Sequence, residues 1–287
     1  MKNLLLGLSF MLLLIACNNQ KQTKNSAEEP VEQVAATPET KEPNQGKALI
    51  KEMVKAVGGI EALKSLKDVE YEYIYDVPGE GKKDVSLERY IFDGEYSWAK
   101  YTTHTKWVMP DVEGEVEQGY NGKESWVTLN GKIVEDSAVV KIGDFLRKTN
   151  FYWFCMMFKQ LDPGMTYEYK GTQTVDGVDY ELVKVGFEAH VGDAQDTYVL
   201  YINPKTKLVD QFLFTVMDFG MTNPLLTKIE YQTVEGIKVP ASRKYIVSDW
   251  EGTVKGEDWI ENYYKDVKFN NGFTEVQFQK PGAEVGA

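Results

Sequence analysis

The sequence predicts an α+β protein in which two N-terminal helices and a central aromatic helix accompany an antiparallel sheet of about ten to twelve strands. Three observations lead to this fold class. Apolar residues first recur at helical spacing, short segments rich in aromatic and β-branched residues follow, and one long apolar segment without turn signals interrupts them. With 43% hydrophobic and 13% aromatic residues in 287, the chain can bury a sizeable core, which excludes wholesale disorder.

The first sixteen residues have the pattern of an export signal. Lys2 precedes an apolar run over 4–16 that is too short to span a membrane as a permanent helix. Residues 14–17, Leu-Ile-Ala-Cys, resemble the lipobox of bacterial lipoproteins, in which the cysteine is acylated and begins the mature chain. We therefore predict a signal peptide over 1–16 and lipid attachment, such as palmitate, at Cys17. The alternative is a plain signal peptide with an incidental cysteine.

Residues 17–45 are predicted to form a disordered tether behind the acylated cysteine. They contain no aromatic residue and no apolar period, so nothing in them offsets the entropy of ordering. Asn18 is not the aspartate associated with inner-membrane retention in enteric bacteria. The first acidic residue is Glu28, so the acidic cluster associated with surface export is missing. These features favour an outer-membrane lipoprotein that faces the periplasm.

A single main domain is predicted over 46–281, followed by a flexible tail over 282–287. Two helices are expected at the start of this domain. Apolar residues recur at helical spacing from Leu49 to Val57, and the pattern resumes from Ile60 to Leu66. The Gly58-Gly59 pair between the two runs predicts a break between a helix and a short second helix.

Antiparallel strands are predicted from Val69 onward. Apolar and polar residues alternate over 71–77, 198–202 and 212–216, which gives each segment one apolar face. Six dipeptides typical of hairpin turns divide the strand region: Asp93-Gly94, Asn121-Gly122, Asn130-Gly131, Asp176-Gly177, Glu235-Gly236 and Asn271-Gly272.

The segment from Val139 to Leu161 is predicted to contain a helix, because it has no strong turn signal. Residues 151–158 are all apolar or aromatic, so a helix there must be enclosed by protein or covered by a ligand. An ordinary packed core and an adaptable lipid pocket both suit its aromatic and methionine residues. The Asp162-Pro163-Gly164 turn ends the helix and returns the chain to strands near Met165.

This order of elements resembles the fold of the periplasmic lipoprotein carriers and receptors of the LolA/LolB superfamily, over about residues 46–280. The resemblance implies a curved antiparallel half-barrel whose concave face is closed by helices, forming a cavity suited to acyl chains. The sequence also resembles uncharacterised Bacteroidota lipoproteins of this shape, on Asn150-Phe151-Tyr152-Trp153-Phe154, Leu161-Asp162-Pro163-Gly164, Asp196-Thr197-Tyr198, Tyr201-Ile202-Asn203-Pro204 and Gly236-Ile237-Lys238-Val239-Pro240.

Little in the sequence indicates catalysis, a metal or another cofactor. The motifs of serine hydrolases, zinc proteases, nucleotide-binding loops and dithiol redox sites are absent. His104 and His190 are interpreted as turn or exposed residues, and Cys155 as a buried and inert thiol. Asp193 and Asp196 could bind calcium, but they lack the regularly spaced series of ligands of an EF-hand. A structural role in a turn is therefore favoured. A net charge of −12 argues against nucleic acid as a partner.

We predict a non-enzymatic, lipid-anchored envelope protein that holds a hydrophobic small molecule or lipid in its half-barrel. Two alternatives stay open: an assembly lipoprotein that binds another envelope protein, and an envelope hydrolase that uses scattered carboxylates. An enclosed volume of about 300 Å³ or more would favour the ligand carrier. A separate possibility is that Trp98, Trp107 and Trp126 form a platform on which a sugar stacks. The candidate ligand-binding residues are Trp98, Trp107, Trp126, Phe145, Trp153, Phe154, Met156, Met157, Phe158, Phe212 and Phe214.

Overall fold

The computed structural model describes residues 44–189, 191 and 195–282. The predicted signal peptide, Cys17 and nearly all of the predicted tether lie outside the described residues, as do His190, Asp193 and residues 283–287. No helix in the described part has both the length and the apolar composition that crossing a membrane requires.

The predicted α+β class is confirmed by three α-helices and an open, curled antiparallel sheet of thirteen strands within the described residues. The helices are α1 (Gln45–Val57), α2 (Ile60–Ser65) and α3 (Ser137–Lys159). The strands are β1 (Asp68–Val77), β2 (Lys82–Ile91), β3 (Tyr96–His104), β4 (Val116–Tyr120), β5 (Ser125–Leu129), β6 (Lys132–Ile133), β7 (Met165–Val175), β8 (Val178–Phe187), β9 (Tyr198–Ile202), β10 (Val209–Val216), β11 (Met221–Val234), β12 (Ile237–Val247) and β13 (Ile260–Phe269).

The sheet consists of two meanders joined at its centre. Strands β1 to β6 run in sequence toward one edge, β7 to β13 return from the other edge, and β1 pairs with β13 in the middle. Helix α3 connects the two edge strands, β6 and β7. Its 23 residues measure about 35 Å at 1.5 Å per residue, so it reaches across the curl of the sheet. We call the face on which α3 lies the inner face and the opposite one the outer face.

The main core lies between the inner face and the helices. Helix α1 contacts β7, β8, β12 and α3, and buries Ile50, Met53 and Val57. The predicted glycine break follows at Gly58, where φ is 122° and an added Cβ would lie 2.6 Å from Ile237 Cγ2. A residue with a side chain therefore fits poorly between α1 and α2.

Five of the six predicted turn dipeptides connect neighbouring strands, whereas Asn271-Gly272 does not. It begins the segment that follows β13 and leads to a short 3-10 helix at Glu275–Phe278. The buried Asp68 carboxylate accepts hydrogen bonds from the backbone amides of Asn271 at 2.7 Å, Gly272 at 2.9 Å and Phe273 at 3.0 Å. The prediction of a hairpin there is wrong because the dipeptide pairs with a distant carboxylate instead of a following strand.

Candidate ligand-binding site

A cavity of about 1800 Å³ lies between the inner face of the sheet and α3. Strands β1, β10, β11 and β12 form one wall, and the N-terminal two thirds of α3 form most of the other. Aromatic and aliphatic side chains make up much of the lining: Tyr73, Tyr75, Phe214, Leu225 and Tyr245 from the sheet, and Ile142, Phe145, Leu146 and Trp153 from α3.

Three aromatic residues from different segments meet at one side of the cavity. The Phe219 ring, in the turn between β10 and β11, lies 4.9 Å from the Phe145 ring on α3. It also lies 6.1 Å from the ring of Trp107, which belongs to the loop between β3 and β4. Phe219 is 48% exposed, so this contact separates the cavity from solvent only in part.

Two carboxylates, the buried Asp84 and the half-buried Asp196, hold the segments that carry these aromatic residues. Asp84 accepts hydrogen bonds from the amides of Lys106 at 2.8 Å and Trp107 at 2.9 Å. Asp196 accepts from the amide of Met217 at 2.8 Å and the Thr215 hydroxyl at 3.2 Å. Burial raises the pKa of both carboxyl groups, and these hydrogen bonds oppose that rise.

A buried ion pair fixes α3 above β2. Arg147 and Glu88 are both fully buried, and the guanidinium donates to the two carboxylate oxygens at 2.6 and 3.1 Å. Arg147 also donates to Gln118 at 3.2 Å and to the Tyr101 hydroxyl at 3.1 Å. Burial alone would lower the pKa of Arg147, but the Glu88 carboxylate raises it above its ordinary value. Gly143 allows this approach, because an added Cβ would lie 2.6 Å from a methyl group of Val127 on β5.

Four of the eleven candidate ligand-binding residues line the cavity. They are Trp107, Phe145, Trp153 and Phe214. Trp153 contacts the sheet wall, with its ring 4.9 Å from that of Phe214. Whether these four bind a ligand stays a prediction.

The other seven candidates lie away from the cavity lining. Trp98 and Trp126 are on the outer face, where Trp126 Nε1 donates to the Phe278 carbonyl at 3.0 Å. The sheet therefore separates them from Trp107, and the three tryptophans form no common platform. The remaining five are almost fully buried in the main core between the helices and the sheet: Phe154, Met156, Met157, Phe158 and Phe212.

The residues considered for catalysis, Cys155 and His104, are either buried in the core or hydrogen-bonded to the backbone. Cys155 is buried in the main core, and burial raises the pKa of its thiol. Both ring nitrogens of His104 face backbone carbonyls at 3.0 Å, those of Val108 and Gly114, so the ring ties down the loop between β3 and β4. Within the described ranges, no three His, Cys, Asp or Glu side chains are grouped so that they could hold a metal ion.

Sequence reasoning missed the buried charged residues Glu88, Arg147 and Arg243. The chain contains only three arginines, and Arg147 stands in the central apolar helix four residues before Phe151. An arginine at such a position signals a buried partner. Nothing in the sequence marks Glu88 as buried, because charged residues in a predicted strand are normally assigned to its solvent-facing side.

Comparison with known families assigns the chain to one of them. Residues 70–235, more than half of the sequence, match a family of unknown function, DUF6503. The chain belongs to this family. None of the curated proteins compared with this DUF6503 chain matches it.

Two solved structures are similar to this DUF6503 member at low sequence identity. A DUF1329 family protein from Desulfovibrio piger is 14% identical with a TM-score of 0.52, over 82% of this chain and 97% of that one. A LolA superfamily protein from Nitrosomonas europaea is 10% identical with a TM-score of 0.47, again over 82% and 97%. The first of these likenesses shows the fold and nothing about activity.

Proposed function

We propose that this protein binds an acyl chain or another hydrophobic ligand in the cavity under α3 and that it is not an enzyme. The observation that carries the proposal is the cavity volume of about 1800 Å³. Pockets for small ligands commonly measure about 300–1,000 Å³, so the space is large enough for a long-chain molecule. The aromatic and aliphatic lining suits a ligand that is itself largely apolar.

We further propose that the protein is an envelope lipoprotein of the outer membrane that faces the periplasm and is attached through acylated Cys17. The proposal rests on the export signal and on the position of Cys17 directly after it. A carrier of hydrophobic ligands in this location agrees with the predicted LolA-like half-barrel. Stable attachment requires more than one acyl chain, because a single chain holds a protein only marginally.

Binding of another envelope protein is the second candidate function. Strand β7 is eleven residues long and forms one edge of the sheet, so no strand among the described residues pairs with its outer side. An extended peptide can add to such an edge through backbone hydrogen bonds. The cavity favours the ligand-binding function over this role, since an assembly protein needs only a filled interior.

Substitution of Phe145 by glutamine tests ligand binding without adding charge. We expect the full chain carrying Cys17→Ser to bind cis-parinaric acid, a fluorescent fatty acid, in a titration followed by emission. Phe145→Gln should raise the dissociation constant about tenfold, since a partly apolar wall contact is worth about 1.4 kcal/mol or more. The unfolding free energy should fall by only about 1 kcal/mol, because Phe145 is half-buried.

Val276→Gln is the matched control for this titration. Val276 is 59% exposed on the segment after β13 and does not line the cavity, so its replacement should leave probe binding unchanged. A parent chain that binds no probe, or equal losses from both substitutions, would contradict binding in the cavity.

The membrane anchor is tested by Cys17→Ser. Without the sulfur that carries the acyl groups, the protein should move from the membrane fraction to the soluble periplasmic fraction. A wash at high salt should leave the native protein in the membrane fraction, because a chain of net charge −12 has little attraction to anionic lipid. Retention of the serine variant in washed membranes would show that the lipobox prediction is wrong.

A further inference from the structure

The three arginines of the chain differ in how their charges are compensated. Arg89 pairs with Glu70 on the outer face at 2.8 Å, and Arg147 pairs with Glu88 inside the protein. Arg243, on β12, has no carboxylate within ion-pair distance among the residues that the structure describes. It is nevertheless only 5% exposed.

The groups around Arg243 are neutral aromatic side chains. Its guanidinium lies 4.4 Å from the centroid of the Trp153 ring and 5.5 Å from that of the Tyr264 ring. Tyr73 and Tyr245 also lie near it, and burial raises the pKa of these phenols, so they carry no charge at neutral pH. Cation–π contacts attract the charge but supply no hydrogen-bond acceptor of opposite sign.

A cation in this position lacks the compensation that buried charges require. An arginine cannot lose its proton in a protein, and a buried ion without a counter-charge is unfavourable. The Nε–H group of Arg243 has no acceptor within the described part of the chain. Arg147 shows how the same side chain is satisfied elsewhere in this protein, by two carboxylate oxygens and further acceptors.

Arg243 belongs to the wall of the cavity. The strand register places Arg243 opposite Ile229 and Tyr245 opposite Thr227, so Arg243, Tyr245 and Thr227 share the inner face. The Thr227 hydroxyl is buried and also has no hydrogen-bond partner within the described residues. Arg243 and the unpaired Thr227 hydroxyl therefore belong to the same wall of the cavity, which also includes the neutral amide of Asn262, opposite Arg243 on β13.

We infer that Arg243 binds the carboxylate of a single-chain amphiphile, such as a long-chain fatty acid, whose hydrocarbon chain occupies the cavity. This inference rests on the proposed function. The planar guanidinium matches a carboxylate in shape, and one carboxylate supplies the single negative charge that Arg243 lacks. A phosphate monoester would bring about two negative charges to a site that offers a single cation.

Displacement of cis-parinaric acid by sixteen-carbon ligands tests the inference. Hexadecanoate should displace the probe from the full chain carrying Cys17→Ser at lower concentration than hexadecanol or hexadecyl phosphate. Arg243→Met should weaken hexadecanoate binding about 10- to 100-fold, the value of a hydrogen bond to a charged group. Hexadecanol binding should change less than threefold, because its chain contacts remain.

Arg89→Met is the control, since it removes the same charge on the outer face, beside Trp98 and 4.7 Å from its ring. It should leave binding of hexadecanoate unchanged. A structural role for Arg243 is tested by urea denaturation: Arg243→Met should be as stable as the parent or more stable, because it removes an uncompensated buried charge.

The outcomes separate the inference from the proposed function. Equal binding of hexadecanoate and hexadecanol by the parent chain, with no selective loss in Arg243→Met, would overturn the inference and leave ligand binding intact. Tighter binding of hexadecyl phosphate than of hexadecanoate would also overturn it. A parent chain that binds none of the three ligands would instead contradict the proposed function. Unfolding of Arg243→Met under native conditions would assign Arg243 to the core and overturn the inference.

Discussion

Glu88→Ala is expected to destabilise the protein by about 3–5 kcal/mol, a large share of the 5–15 kcal/mol that holds a typical domain folded. The substitution leaves the Arg147 guanidinium fully buried with only neutral acceptors, Gln118, Tyr101 and Ser97. It also removes the acceptor for the Ser86 and Tyr90 hydroxyls. Urea denaturation followed by tryptophan fluorescence measures the change.

A double substitution separates the loss of a partner from the loss of a charge pair. Glu88→Met combined with Arg147→Met removes both charges and keeps apolar volume, so it should recover most of the stability that Glu88→Ala loses. If the unfolding free energy of Glu88→Ala lies within about 1 kcal/mol of the parent's, the pair is hydrated in solution and does not hold α3 to the sheet.

Met157→Glu is expected to cost about 4 kcal/mol or more and to leave little folded protein. Met157 is almost fully buried in the main core among the aromatic residues of α3 and does not line the cavity. A carboxylate there would have neither water nor a cationic partner. Circular dichroism and urea denaturation measure the loss.

Phe145→Glu provides the contrast on the same helix. Phe145 is half-buried at the cavity, where water can reach a carboxylate, so this variant should stay folded. Comparable stability of the two glutamate variants would contradict the assignment of one residue to the core and the other to the cavity wall.

Much of the fold was predictable because it depends on local patterns. Helical spacing and the glycine pair located α1 and α2, and the absence of turn signals located α3. Dipeptides with a glycine in the left-handed conformation located five hairpins. The strand count exceeded the prediction by one, since β6 has only two residues and no alternation to detect.

The candidate site was predicted less well than the fold, because alternation shows which residues share a face without showing which face is inside. In β2 the polar residues Asp84, Ser86 and Glu88 point inward, while Val85 and Leu87 point outward. On β3 and β5, Trp98 and Trp126 face the segment that follows β13. The residues of α3 that face the core and those that line the cavity are equally apolar. Composition alone therefore could not show that Met157 belongs to the core and Trp153 to the cavity wall.

By itself, the sequence determined the fold class, the order of helices and strands, most of the hairpins and an aromatic helix that had to be enclosed. These features follow from contacts within a few residues along the chain. Only the tertiary structure decided that β1 pairs with β13, that Glu88 neutralises Arg147 and that Arg243 lies in a cavity wall with no carboxylate partner among the described residues. Each of these depends on residues that are distant in sequence, and no spacing along the chain records which of them meet.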